Sequence, residues 1–482
     1  MSRRIVGPFN RVEGDLEVQL EIADGKVNEA WVTSSLYRGF EQILRGKHPN
    51  DALVYTPRIC GICSVSQSVA AAAALADAQN IKTPPNGELA INLILANENV
   101  ADHLTHFYLF FMPDFAREIY QNEPWYEVVA KRFKAISGTA TSDILPARAE
   151  FLHLMGILAG KWPHSLSIQP GGSSRSIEAK EQFRIQIILY SFRQFLEKNL
   201  FGDTLENIIN LNSLDDLNAW ADQGTIDSSD FRCFLHIAKA LDLANLGKSE
   251  NVFMSNGAYR IEGGHLFKQG VWHNELLPLN TDTIFEDVSH SWMVNQDSPK
   301  HPFDGVTQPD PDSAAAYTWC KAPRLDGQVV EVGALSRQLI DGHPLIRDLV
   351  NQNGSNVCYR VVARLLEMAR VVVAMESWAK QFRQGEPYCN HADMPDDAQG
   401  AGLVEAARGS LGHWLRIENG RIENYQIIAP TTWNFSPRDS NEMPGALERA
   451  LLNAPVREGE KDPVAVQHIV RSFDPCMVCT VH

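Results

Sequence analysis

Two Cys-x-x-Cys pairs stand near opposite ends of the chain, Cys60 and Cys63 in "RICGICSVSQS" and Cys476 and Cys479 in "SFDPCMVCTVH". Roughly four hundred residues separate them. One pair alone fits a structural zinc site, a redox dithiol or nothing in particular. Two pairs supply the four thiolates that complete a soft metal site. Closing a loop of this length costs about 5 kcal/mol of chain entropy, whereas a structural metal site returns on the order of 10–16 kcal/mol. Metal bridging outweighs that cost, while two independent redox pairs have no comparable reason to meet. The spacing does not name the metal, and a closed four-thiolate zinc site satisfies it equally well.

Placement points to reactive thiolates. Cys63 precedes "SVSQSVAAAAALADAQ", a strong helix former with Ser64 or Ser66 available as cap. A helix N-terminus lowers the pKa of a nearby thiol. Cys476 follows Asp474-Pro475, where proline stiffens the approach. The remaining cysteines, Cys233, Cys320, Cys358 and Cys389, have no ligand-like spacing. Eight cysteines in 482 residues are too sparse for a disulfide scaffold and indicate a reducing, cytoplasmic setting.

The elements that must position these thiols are mostly helical. Ser66–Gln79 is rich in alanine, and apolar residues recur at helical spacing over Leu89–Tyr120, Leu145–Leu158, Glu178–Leu200 and Val357–Phe382. "DLEVQLEIADGKVNEAWV" alternates apolar and polar residues around Asp24-Gly25, and "HWLRIENGRIENYQII" turns at Asn419-Gly420; both are β-hairpin signals. The Pro- and Asp-rich stretch 298–313 reads as an exposed loop. Length alone suggests about three domains. If the thiol pairs converge, residues 1–482 instead form one unit around a buried metal site. The composition, 44% apolar and 21% charged, suits a large core. A net charge of −16 disfavours nucleic acid and anionic membrane as partners. No 18-residue apolar run spans a bilayer, and the first residues carry no apolar export signal.

The motifs "NRVEGDLEV", "RGFE", "RICGIC", "DHLTHFY", "GKWPHSLSIQPGG", "KAPR", "ARGSLGHW", "NYQIIAPTTWN" and "DPCMVCTVH" occur in this order. With them the whole chain resembles the large subunit of nickel–iron hydrogenases. The resemblance implies a multihelical, mainly α fold with small β-hairpins and sheets. It also implies a nickel–iron centre with cyanide and carbon monoxide on iron. Cys60 and Cys476 would bind nickel terminally, and Cys63 and Cys479 would bridge to iron. Heterolytic cleavage of dihydrogen yields a hydride and a proton. The resemblance gives the proton to Cys476 and then to Glu13 as relay.

The same resemblance places Arg408 over the open metal position, with Asp114 and Asp474 in the same canopy. Pro430 and Thr431 would contact a cyanide ligand. Glu41, the Ile427 carbonyl and His482 would hold a magnesium-like ion that locks the C-terminus. His103 and His106 carry no catalytic role. A small iron–sulfur subunit is the implied partner, because no cysteines remain here to hold clusters.

Several positions depart from the pattern of catalytic members. Gln67 stands where His is usual, Asp15 follows "R-x-E-G", Ala407 precedes Arg408, and Ile62 and Phe110 are bulkier than the residues common there. These departures resemble the hydrogen-sensing, regulatory class, which signals the presence of dihydrogen at low turnover through a sensor histidine kinase. An energy-conserving uptake hydrogenase is the alternative. A structural-zinc scaffold or a respiratory quinone-site relative fits less well.

Overall fold

The structure is a computed structural model that describes residues 2–482. Its architecture is mainly α with small antiparallel sheets. The first sheet joins β1 (Ser2–Val6), β2 (Leu16–Ala23) and β3 (Lys26–Ser34). Its hairpin turns where expected, with Asp24 and Gly25 both at positive φ (51° and 71°), the twist that a tight hairpin between right-handed strands requires. The helical body is built on α1 (Ser64–Ala78), α2 (Pro85–Thr105) and α3 (Ala179–Phe195), followed by α4 (Ala334–Asp341) and the 25-residue α5 (Val357–Gln381). A buried apolar cluster runs from Val6 through these helices to Cys479. No helix of the described residues is long and apolar enough to cross a membrane.

Apolar periodicity locates the helices well but sets their ends poorly. The run predicted over Leu89–Tyr120 is regular only to Thr105; wider and tighter turns then carry the chain to Asp114. A sheet of β4 (Phe253–Ile261), β5 (Gly264–His273) and β6 (Glu275–Leu277) lies in a stretch to which the sequence pattern assigns no element. The first seven residues of β4 are all buried, so both of its faces are covered and the alternation that marks a strand is absent.

A third main sheet comprises β7 (Ala398–Ala406), β8 (Gly409–Glu418) and β9 (Arg421–Ile428), with the Asn419-Gly420 turn again at positive φ. Segment 298–313 is irregular but not wholly exposed: Pro302, Gly305 and Thr307 are buried. Its proline-rich composition marks a lack of regular structure, which does not preclude packing.

Strand β7 lies flush on the alanine face of α1. A β-carbon at Gly402 would collide with the Ala70 carbonyl and stand 2.6 Å from the Ala74 nitrogen. This fit holds the helix that follows Cys63. Gly402→Ala is expected to destabilise the protein by about 1–3 kcal/mol, the usual cost of overpacking, read as a lowered thermal midpoint. Gly156→Ala, in a helix with open space around its α-carbon, is expected to leave the midpoint unchanged or raise it slightly.

Candidate metal centre

The four predicted thiols converge. The sulfurs of Cys60, Cys63, Cys476 and Cys479 all lie within 4.8 Å of one another, and all four residues are buried and free of disulfides. Cys60 Sγ is 3.5 Å from Cys476 Sγ, and Cys63 Sγ is 2.9 Å from Cys479 Sγ. The first cysteine of one pair thus meets the first of the other, and the second meets the second. Four buried thiols with no cation among them suit a soft divalent centre better than they suit one another.

Backbone contacts bring the ends together. Glu13 and Cys476 form a parallel bridge, and the Met477 N–H donates to the Glu13 carbonyl at 2.7 Å. The Arg38 guanidinium donates to the carbonyls of Ile59 (2.6 Å) and Val478 (2.5 Å), the residues just before Cys60 and Cys479. One side chain therefore staples both cysteine loops. Sequence reasoning missed Arg38, although it opens the "RGFE" motif three residues before Glu41.

The sulfurs are electrostatically unequal. Burial opposes ionisation of Cys60, but hydrogen bonds from Cys476, Cys479 and Cys63 and the charge of Arg408 outweigh it and hold this thiol well below its ordinary range. Burial and its sulfur neighbours push Cys63 well above. This corrects the expectation that the helix N-terminus lowers Cys63. The N–H groups of Val65 and Ser66 are taken by the Glu98 carboxylate, so that helix end does not serve the thiol. Neither Ser64 nor Ser66 acts as the predicted cap; both hydroxyls turn to Glu98 as well, at 3.5 and 3.0 Å. Glu13 is half-buried, and its carboxyl is raised by burial and by Cys60 against the pull of Arg408 and Arg38.

Arg408 sits in the tight β7–β8 connection and is buried. It donates to both oxygens of Asp102 (Nη2 to Oδ1, 3.1 Å), to Asp474 Oδ1 (3.1 Å) and to the Asp474 carbonyl (2.8 Å). Asp474 is where the sequence places it. Asp114 is not: it binds Arg11, Arg471 (2.7 Å) and His468 (3.4 Å), pinning the N-terminal loop to the helix Val464–Ser472. The second carboxylate on Arg408 is Asp102, which opens "DHLTHFY". The 3.6-residue period sets Asp102 and His103 on adjoining faces of one buried helix, and the Met-Pro-Asp turn around Asp114 was the more conspicuous signal. Below the arginine, Arg337 donates to the carbonyls of Ala406 and Ala407 (both 2.9 Å) and is itself held by Glu367 and Glu405. His103 completes this group through Glu367 at 3.0 Å; His106 meets the Arg471 carbonyl at 2.6 Å.

Pro430 begins the helix Pro430–Asn434. The Thr431 hydroxyl accepts the Cys476 N–H at 3.0 Å, leaving its own proton without an acceptor among the described residues. Gln67 Oε1 accepts from His413 Nε2 at 2.8 Å, and Gln67 Nε2 stands 3.9 Å from Cys479 Sγ.

At the C-terminus His482 Nε2 lies 3.3 Å from Glu41 Oε1, which also accepts the Ile427 N–H at 2.7 Å. Ile427 thus meets Glu41 through its nitrogen. Lys321 faces Glu41 (3.5 Å) and Glu286 (3.1 Å), and Thr307, from the irregular segment, donates to Glu41. Burial opposes ionisation of Glu41, but Lys321, His482 and Thr307 bring it to about 2. The buried Glu286 Oε1 has no hydrogen-bond partner among the described residues. One lysine faces two carboxylates and an acceptor is left over, so the donor set fits a hydrated divalent ion. Lys321, Glu286 and Thr307 escaped the sequence reading because they are brought in from segments far from either terminus.

A family model described as "Nickel-dependent hydrogenase" matches residues 38–124 and 140–482. Among curated relatives, the periplasmic [NiFeSe] hydrogenase large subunit of Desulfomicrobium baculatum is 29% identical, covering 99% of this chain and 94% of its own length. The Hydrogenase-2 large chain of Escherichia coli is 27% identical over 100% of this chain and 97% of its own. The Ni-Fe-Se hydrogenase of D. vulgaris Hildenborough in its as-isolated oxidised state superposes with a TM-score of 0.86 at 28% identity, each chain fully covered.

The support beneath Arg408 makes a pH-dependent prediction. Burial opposes ionisation of Glu367, but Arg337 and His103 hold it at about 2 against an ordinary value of 4.5. A depressed carboxyl stabilises the fold above its unfolded pKa and loses that contribution as pH falls through the folded one. The stability gap between wild type and Glu367→Gln, measured by denaturant unfolding, is expected to be full at pH 7, to shrink below pH 4.5 and to close near pH 2.

Proposed function

The chain belongs to the nickel-dependent hydrogenase family, and from that premise we propose that it is the subunit in which dihydrogen is split into two protons and two electrons at a nickel–iron pair held by Cys60, Cys63, Cys476 and Cys479. The observation that carries this reading is the meeting of four buried sulfurs from opposite ends of the chain, within reach of the charge of the buried Arg408. The metal pair, with cyanide and carbon monoxide on iron, supplies the electrophilic centre at which the H–H bond is polarised. Cys476 Sγ takes the proton, and Glu13, locked beside it by the backbone bridge, receives it next. A carboxyl raised by burial and by a neighbouring sulfur is a better match to a thiol than a surface glutamate is. Arg408, held by Asp102 and Asp474, directs a fixed positive field at the reacting position. The free Thr431 hydroxyl proton and the start of the helix at Pro430 are the groups available to a diatomic ligand. Glu41, the Ile427 carbonyl and His482, with the nearby Glu286 and waters, hold a magnesium-like ion that fixes the C-terminus.

Residues 1–482 act as one unit in this reading. Electrons leave through a small iron–sulfur subunit, since the four other cysteines lie outside the cluster. We place the chain in the cytoplasm on its sparse cysteines, which are free of disulfides. We read its role as hydrogen sensing, coupled to a histidine kinase. Gln67 supports this: a neutral amide, fixed by His413 and facing Cys479, stands where a titratable imidazole is usual. Curated relatives include uptake hydrogenase large subunits, which supports an energy-conserving uptake role as the competing reading.

Infrared spectra of the purified complex are expected to show bands of metal-bound cyanide and carbon monoxide; a fully metallated sample without them rules out the nickel–iron assignment. Glu13→Gln is expected to keep its metals while hydrogen–deuterium exchange falls about 10²–10⁴-fold, the range for a lost acid–base group. Turnover is expected to be slow and to persist in air. Fast uptake that oxygen quickly abolishes would exclude the sensing role.

A further inference from the structure

Glu98, on α2, is 2% exposed, and no lysine or arginine pairs with it among the described residues. A buried carboxylate without a cation is costly unless hydrogen-bond donors surround it, and burial raises Glu98 to about 7 against the pull of its donors. Five donors surround it. Val65 N–H and Trp162 Nε1–H donate to Oε2 at 2.9 and 3.0 Å, and the Ser64 hydroxyl approaches it at 3.5 Å. Ser66 N–H and its hydroxyl donate to Oε1 at 2.9 and 3.0 Å. Four of the five come from the first turn of α1, the helix that opens at Cys63. The fifth comes from the "GKWPHSL" loop, which is fixed to the same turn: His164 N–H donates to Ser64 Oγ at 3.3 Å, and His164 Nδ1 meets the Pro57 carbonyl at 2.9 Å.

We propose that Glu98 is a positioning residue for the metal centre, clamping the first turn of the Cys63 helix and countering the positive end of that helix beside the Cys63 sulfur. The proposal rests on the nickel–iron reading above. Its physical basis is the helix end. Unsatisfied N–H groups give a helix N-terminus about half a positive charge. A carboxylate bound across those groups cancels that charge beside the bridging sulfur and pins the backbone that carries it. Without the carboxylate, the first turn loses its acceptors and the sulfur faces an uncompensated positive end, which favours the more electron-rich state of the centre.

The test uses the complex with its small subunit. Glu98→Ala is expected to lower bound nickel about tenfold or more, the range seen when groups orienting metal ligands are removed. Glu98→Gln, of the same shape but uncharged, is expected to retain nickel and iron. Its cyanide and carbon monoxide bands are expected at higher wavenumber and its nickel midpoint potential to become more positive. Glu98→Gln decides the matter if the alanine variant fails to fold. Unchanged bands and midpoint in loaded Glu98→Gln, or full nickel in Glu98→Ala, overturn the proposal. Failure of the premise is separable, because it would show in the unaltered complex as the absence of nickel and of the bands.

Discussion

Everything in this molecule depends on holding two distant stretches of chain side by side so that four sulfurs share one buried volume. Burial works against ionised thiolates, and only Cys60 gains enough from its sulfur neighbours to be held below its ordinary range, so mutual attraction does not assemble the four. The backbone does that work. The Glu13–Cys476 bridge sets one cysteine loop against the N-terminal segment, and further along the Val27 N–H meets the Ala454 carbonyl at 3.0 Å while the Asn453 N–H returns to Val27 at 2.8 Å. Arg38 then ties the carbonyls before Cys60 and Cys479 to one planar guanidinium, whose fixed fork leaves little freedom between them. The spacing of the sulfurs is thus determined by groups that are not themselves ligands.

The same logic governs the arginine above the site. Burying Arg408 with two carboxylates is not a strong source of stability, since desolvation offsets most of the attraction. What the arrangement provides is a single orientation. Asp102 comes from a long helix and Asp474 from the loop before Cys476, so the guanidinium joins the helical body to the C-terminal cysteine pair. Arg337, Glu367, Glu405 and His103 fix the backbone behind it. Burial and the charge of Asp474 raise Asp102 to about 7 against the pull of Arg408, while Asp474 stays below its ordinary range. The two carboxylates are inequivalent although both bind one cation.

Local features were legible in the sequence. Both hairpins announce themselves through period-two alternation and an Asp-Gly or Asn-Gly turn, and the thiol pairs through their spacing. Contacts made across the fold were not. Asp102 and Asp114 both sit near the end of one helical run, and only the break after Thr105 decides which of them faces Arg408. A helix cap predicted from the next residues in sequence, Ser64 or Ser66, was displaced by a glutamate from another helix, which no local pattern contains. The sheet over Phe253–Leu277 was hidden for a related reason: covering a strand on both faces erases the contrast between polar and apolar positions on which periodicity depends.

The C-terminal cysteine shows how far one assignment of protons can travel. Burial and the nearby His482 lower His413 to about 3, so its ring is neutral and carries a single proton. Tyr425 hydroxyl lies 2.8 Å from Nδ1 and Gln67 Oε1 lies 2.8 Å from Nε2. Since the Gln67 oxygen only accepts, the proton resides on Nε2 and the tyrosine donates to Nδ1. With the amide oxygen on the imidazole, the Gln67 NH2 faces Cys479 Sγ at 3.9 Å. On the opposite side, the Cys479 carbonyl meets His482 Nδ1 at 3.0 Å, which turns Nε2 toward Glu41. One residue is therefore held through its sulfur by a neutral chain ending in Tyr425 and through its backbone by the charged pocket around Glu41. Burial is the main reason that His413 is neutral, with the nearby His482 adding to it, so both supports of Cys479 run to the same C-terminal pocket.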